Sequence, residues 1–395
     1  MEKVRFLEVG HTLVYLSACA LHSVVPDEET VKSVDLRELL HVAARHSMQV
    51  IIAMALESAV AAYPRLLSVM DKVTLDEFKL IKAQAIRKKV LFDAELQKLL
   101  EFMEQNGIFY MPLKGLVLQS FYPLFGMRQM CDNDIFFDIN YRKDIRSFMI
   151  ANGYEVIKYN SGYPDAYRKN GMFLFEMHFS LYNETDNEIE FNRYYKDVKH
   201  KLVKDENNGF GYHFTDEDFY IHCLSHSYKH FSHGGNGVRS LMDIFVFLLE
   251  KHSKLDWCYI DAELLKLGIV GFERMMRALA FKCFERTALD RKSGTASLSE
   301  KERQMLDFLI SSGVYGTVQN RIEQMVDEYG QSRVDKVKYA IRRLFPSMGY
   351  YKVNYPFCYK TRVLIPFVAV WRIIKRSIVN SKSIKREILL LIKKK

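Results

Sequence analysis

The feature that most constrains this chain is a change of periodicity. Up to Asn106 the pattern is helical. Leu36, Leu39, Leu40, Ala43, Val50 and Met54 recur at helical spacing over 35–59. Thr74 and Glu77 stand at capping-box spacing and open a long helix through Leu80, Val90, Leu91, Leu99 and Phe102, which stops at Asn106-Gly107. From Ile108 the texture switches. Segments 108–111, 134–138, 154–159 and 172–179 read as strands, with helices from Lys114-Gly115 through Phe121 and over 141–152. Beyond Asp216 helical spacing returns and continues to the end. This order predicts an α+β fold, a small mixed sheet flanked by N-terminal and C-terminal helical regions. Four units follow: a helical region 1–106, a core 107–205, a helical domain 206–350 and a basic tail 351–395. Polar or Gly-rich breaks fall near 204–211 and 292–299.

Composition narrows the class. At 395 residues, 49% hydrophobic and 27% charged, the chain has the make-up of a soluble globular protein. No apolar run looks long enough to span a bilayer, which takes about 20 residues. The N-terminus has early acids, Glu2 and Glu8, and no basic leader, so an amphipathic helix and a cytoplasmic location are expected. Six scattered cysteines without a CxxC pair argue for reduced thiols. The net charge is +9, but residues 360–395 carry eleven Lys and Arg against Glu387 alone, or +10. The other 359 residues therefore sit at −1, the difference between +9 and +10. Basicity belongs to the tail, which speaks against the whole chain being a nucleic-acid binder.

The chemistry concentrates between Lys114 and His178. Asp132 and Asp134 have the same parity at a strand edge, so both carboxylates project to one side. Two acids so placed can share a pair of divalent cations, Mg²⁺ or Mn²⁺, about 4 Å apart for phosphoryl or nucleotidyl transfer. Lys114-Gly115, between a strand and a helix, suits a triphosphate approaching the backbone beside a point charge. Over 172–179, Leu174, Glu176 and His178 share one face, while Phe173, Phe175 and Met177 share the other. Glu176 is thus a charged residue in an apolar strand and a candidate third acid. Asp-x-Asp alone is a common turn or capping pair. The ordered set of strand, Lys-Gly, helix, Arg128, Asp-x-Asp strand and carboxylate strand is far more specific.

That set resembles a known family. The run LKGLVLQSFYPLFGMRQMCDNDIFF is similar to the core of the bacterial uncharacterised nucleotidyltransferase family, within the polymerase-β-like superfamily. The helical lead-in ending in NGIFYMPLKG, the segment FEMHFSLY, and HCLSHSYKHF followed by VRSLMDIFVF extend the likeness over roughly 36–250. The resemblance implies metal ligands at Asp132 and Asp134, a third ligand or base at Glu176, and nucleotide-phosphate contact near Lys114 and Gly115. Three departures stand out. Lys114-Gly115 replaces the superfamily's Gly-Ser turn, Asn133 fills a usually apolar position, and Glu176 stands where aspartate is usual.

His222, His226 and His230 share a helical face, with His233 beyond. They read as a zinc site, as an active-site lining through His226 and His230, or as an ordinary polar face; zinc needs three or four converging ligands. Arg239 and Asp243 are spaced to pair on a helix, and Arg239 is also a candidate phosphate contact. Arg128 fits phosphate contact too, or a salt bridge pinning its loop. The tail around Trp371 suits a helix packed on the body, one lying peripherally on an anionic inner-membrane surface, or a polyanion binder such as for tRNA. The expected function is metal-dependent transfer of NMP from an NTP to a hydroxyl or phosphate of a small molecule, such as a sugar or glycan precursor. The alternatives are a toxin-like or defence enzyme modifying tRNA or protein, and a catalytically silent scaffold or membrane-associated binding protein.

Overall fold

A computed structural model describes residues 2–160, 162–184, 188–289, 298–314 and 361–379, with positions 316, 348, 351, 355, 357 and 358. Five helices precede the sheet: α1 (Glu2–Leu21), α2 (Glu28–Ser33), α3 (Leu36–His46), α4 (Gln49–Ala62) and α5 (Lys72–Gln105). Aspartates open three of them by accepting otherwise unpaired backbone N–H groups, Asp27 from Thr30, Asp35 from Arg37 and Glu38, and Asp71 from Val73. Two expectations change here. The long helix begins on Asp71, and Thr74 lies inside it, its hydroxyl 2.9 Å from the Asp71 carboxylate. The single helix expected over 35–59 is two, because Ser47 adopts a left-handed φ of 53° and its N–H closes α3.

The sheet holds β1 (Tyr110–Pro112), β2 (Asn133–Phe137), β3 (Glu155–Lys158), β4 (Asp165–Lys169) and β5 (Phe173–His178) in the order β1-β2-β5-β4-β3. Short α6 (Gly115–Leu118) follows β1, and α7 (Arg142–Ala151) precedes β3. Only β2 and β5 run parallel among these pairs; the rest are antiparallel. Strand β4 was not expected, since its charged residues mask the alternation. Asp165 is nonetheless fully buried, held by Arg142 through two hydrogen bonds of 2.6 Å. After α8 (Ile189–Tyr194), the break expected near 204–211 proves to be the loop of a hairpin, β6 (Leu202–Lys204) with β7 (Tyr212–Phe214).

Six helices follow: α9 (Asp216–Ser232), α10 (Val238–Lys251), α11 (Trp257–Lys266), α12 (Val270–Phe284), α13 (Arg286–Leu289) and α14 (Glu300–Ser312). Ser299 and Glu302 form a reciprocal capping box at the start of α14. The break expected at 292–299 lies outside the described residues except for 298 and 299, as does most of 315–350. Helix α15 (Ile365–Val379) comes last, and 380–395 is outside the description.

Two apolar cores organise these elements. One joins helices that precede the sheet in sequence to helices that follow it: Leu13 and Leu16 of α1, Ile51 and Leu56 of α4, Phe245 of α10, Met276 of α12 and Leu309 of α14 belong to it. The expected N-terminal and C-terminal helical regions thus share one interior. The stretch Val4–Leu21 does have the length and mean hydropathy, 1.2, to cross a bilayer, which corrects the sequence reading, but 56% of it is buried within the fold. The second core lies behind the sheet. Ile135, Phe137, Phe173, Phe175 and Met177 pack there against Phe92, Leu99 and Met103 of α5 and Ile145 and Met149 of α7. The two-faced pattern read over 172–179 is therefore real, and the opposite, polar face is left for the site.

Candidate active site

Parallel pairing of β2 with β5 builds the centre. Its register sets Asp134 beside Glu176 and Phe136 beside His178, so the polar positions of both strands point off the same face. The Asp134 Oδ1 atom accepts from Lys114 Nζ at 3.0 Å and from His178 Nε2 at 2.7 Å. His178 Nε2 is also 3.7 Å from Glu176 Oε2. Metal-binding atoms of Asp134, Glu176 and His178 all lie within 4.8 Å of one another. Asp132 stands outside that group but lines the same cleft.

Electrostatics bind the group together. Burial disfavours the charged form of Asp134, yet Lys114 and His178 outweigh it and hold the carboxyl below the ordinary range. Glu176 behaves oppositely. Burial first, then the charges of Asp134 and Asp132, push it up to about 7. Asp132 is raised by burial and by Asp134. Burial opposes the charge of Lys114, but the Asp134 carboxylate beside it raises its pKa. His178 is pushed toward its neutral form by burial, so it can donate to Asp134 from Nε2.

This donor set fits a divalent cation. Three carboxylates face one ammonium, and burial together with their mutual repulsion raises Glu176 and Asp132. Oxygen ligands suit Mg²⁺ or Mn²⁺, and a nearby imidazole is better tolerated by Mn²⁺.

The turn that presents Lys114 is strained, with φ at 45° in a non-glycine residue. Such backbone costs about 1–3 kcal/mol and gathers at functional sites. Gly115 follows because space demands it: a Cβ there would meet Arg128 Nη1 at 2.6 Å. Arg128 itself is buried and paired with Asp243, Nε to Oδ1 at 2.8 Å and Nη2 to Oδ2 at 2.9 Å, with Tyr122 donating to Oδ1 at 2.7 Å. Asp243 therefore pairs with Arg128 and not with Arg239, contrary to the helix-spacing expectation. Arg239 donates to the Gln129 carbonyl at 3.2 Å and lines the cleft.

The cleft, about 430 Å³, lies between this sheet face and helices α9 and α10. His226 and His230 line it, their Nε2 atoms 3.2 Å apart. Burial keeps both neutral, with His230 down to about 3. His222 turns elsewhere, into an aromatic cluster with Tyr195 and Phe214. His233 bonds the Lys229 carbonyl at 2.6 Å. The four histidines do not converge, which removes the zinc reading among the described residues. Lys229 and Asn236 also line the cleft and were not foreseen; nothing in their spacing singles them out. His178 had a visible signal, its shared face with Glu176, but its bond to Asp134 depends on strand register.

A family model described as an uncharacterised nucleotidyltransferase matches residues 32–285. The chain belongs to this nucleotidyltransferase family. The match covers every site residue from Lys114 to Asp243 and extends beyond the 36–250 expected from motifs. No curated protein and no solved structure matches the chain. Membership carries the general activity, nucleotidyl transfer, with an NTP as substrate and usually a divalent metal.

Proposed function

We propose that this nucleotidyltransferase moves an NMP from an NTP onto a hydroxyl or phosphate of a small acceptor in a metal-dependent reaction. The observation that carries the reading is the register-paired Asp134 and Glu176, with Asp132 nearby, facing a cleft that also holds Lys114 and Arg239. Asp132, Asp134 and Glu176 would hold Mg²⁺ or Mn²⁺. The cation, when bound, supplies activation of the attacking oxygen and neutralisation of phosphate charge.

The chain's own residues do the rest. Lys114 and Arg239 attract the triphosphate, and Gly115 lets the Arg128 guanidinium pack close against the turn that presents Lys114. Arg128, paired to Asp243, braces the loop that leads to Asp132 behind the phosphates. His226 and His230, neutral, line the wall where nucleotide or acceptor groups need hydrogen bonds. An oxygen of the acceptor forms a bond to the α-phosphorus while the bond to pyrophosphate breaks. Glu176 completes the ligand set or accepts the acceptor's proton, and its raised pKa suits the second role. A body near charge neutrality favours a small acceptor such as a sugar or glycan precursor over tRNA. A cytoplasmic site of action belongs to the same proposal, with the basic tail as a peripheral contact.

Calorimetric titration with ATP, GTP, CTP and UTP, with and without Mg²⁺, tests this. Metal-dependent binding of one nucleotide, lost in Asp132→Asn/Asp134→Asn, supports it. Binding that the double variant retains, or none by the wild type at millimolar nucleotide, overturns it.

A further inference from the structure

Helix α15 has two apolar sides in different surroundings. Ile365 and Val368 are half-buried and Ala369 is fully buried, so one side of the helix is covered. The other side is largely exposed: Val363 is 77% exposed, Phe367 70%, Val370 55%, and Trp371 48% with its ring edge-on to Tyr355. Spaced at 363, 367, 370 and 371, these side chains fall within one face of the helix and its entering turn, about 100° wide. An exposed row of large apolar side chains that includes Phe and Trp marks an interaction surface.

Charge says what kind. No acid occurs between 361 and 379, while Arg362, Arg372, Lys375 and Arg376 do, and the whole of 360–395 carries +10 against −1 for the rest. A protein partner of matching shape would need its own acidic rim. A bilayer bearing anionic headgroups offers both the apolar depth and the negative surface at once. Single-stranded nucleic acid fits less well, because its grooves intersperse aromatic rings with cations, whereas here aromatic and aliphatic groups form one continuous stripe. Tryptophan at such a boundary is favoured for its apolar body and polar N–H.

We propose that α15 is an interfacial helix that docks the protein on the surface of an anionic lipid bilayer. Val363, Phe367, Val370 and Trp371 enter the acyl boundary, exposed Arg362 meets the headgroups, and the net positive charge of 360–395 adds attraction to the anionic surface. This inference rests on the tail alone and is independent of the nucleotidyl-transfer reading.

The sequence has two tryptophans, Trp257 and Trp371. Full-length Trp257→Phe protein therefore reports on α15 by fluorescence. On vesicles of mixed phosphatidylcholine and phosphatidylglycerol, Trp371 emission should shift to the blue and be quenched by brominated acyl chains. Vesicles of phosphatidylcholine alone should leave it unchanged. Phe367→Ser/Val370→Ser should weaken partitioning at least tenfold with the circular dichroism spectrum intact. Arg362→Gln should weaken it about fivefold. No shift on anionic vesicles, an equal shift on neutral ones, or undiminished binding by the serine variant overturns the proposal. So does saturable RNA binding that moves Trp371 while vesicles do not.

Discussion

Replacing Asp243 with leucine tests the logic of the site most directly. The carboxylate has three buried donors: Arg128 Nε at 2.8 Å, Arg128 Nη2 at 2.9 Å and the Tyr122 hydroxyl at 2.7 Å. Asp243→Leu removes the acceptor and leaves a guanidinium buried without its partner. Breaking a buried pair in this way costs about 3–5 kcal/mol. Stranding the Tyr122 hydroxyl adds about 1–3 kcal/mol if it finds no other acceptor. Some relaxation is shared between these terms, so we expect a loss near the middle, about 4 kcal/mol. The companion is Arg128→Met/Asp243→Leu, which removes both charges and keeps comparable volume. Hydrophobic replacement of a whole buried pair is often neutral, so the double variant should recover at least about 2 kcal/mol. Urea unfolding followed by fluorescence and circular dichroism measures all four members of the cycle, provided the two probes coincide and the denaturant slope is unchanged. A single-variant loss under about 1 kcal/mol would mean that the pair is not isolated from water as its burial implies. A double variant as unstable as the sum of the singles would refute the claim that the stranded charge carries the penalty.

Three other outcomes follow from distances and burial already given. His178→Gln removes the donor that fixes Asp134, and Mn²⁺ affinity followed by electron paramagnetic resonance should fall about 10–100-fold, with the thermal transition little changed; unchanged affinity would rule out the positioning role. His46 is buried between the Ile310 carbonyl and the Val238 N–H, and burial lowers its pKa to about 4. Its neutral form is favoured by folding, so its contribution is present above pH 6.5 and lost as pH falls toward 4. The full effect is about 3 kcal/mol, and His46→Gln should show a correspondingly shallower loss of stability across that window in urea titrations at stepped pH. Gly115→Ala forces the Arg128 guanidinium away from a Cβ that would sit 2.6 Å from it, and should cost about 1–3 kcal/mol in urea unfolding; wild-type stability would show that the guanidinium yields freely.

Much of the site could be read from residue order alone. Parity put Asp132 with Asp134, and alternation put Glu176 with His178 opposite Phe175 and Met177, because side-chain direction in a strand is a local property. What local pattern could not supply is who sits beside whom. Asp134 meets Glu176 only because β2 and β5 pair in parallel with that register, across 42 residues of chain. Arg128 finds Asp243 from 115 residues away, and a buried guanidinium looks the same in sequence as one reaching for phosphate. Strand β4 escaped notice because Asp165 and Arg168 interrupt the apolar rhythm, and Asp165 is burial-competent only through Arg142. The kink at Ser47 has no glycine or proline to announce it. For the tail, sequence left packing on the body, a membrane surface and polyanion binding all open, because composition does not say which side chains of an amphipathic helix are exposed; Phe367 is 70% and Trp371 48% exposed.

Helix α5 belongs to both cores. Its first turns place Leu75 and Phe78 in the helical interior, and its later turns place Phe92, Leu99 and Met103 behind the sheet. At about 1.5 Å per residue it is a rod of roughly 50 Å, seated at each end in a different hydrophobic body. Neither body can melt while the rod stays fully packed. The sheet that carries Asp134 and Glu176 therefore borrows part of its cooperativity from helices such as α1 and α4 that do not line the cleft. Amide protons at its two buried ends, near Phe78 and near Leu99, should therefore show similar protection from exchange, so that the integrity of the cleft is set as much by the helical body as by the five short strands beneath it.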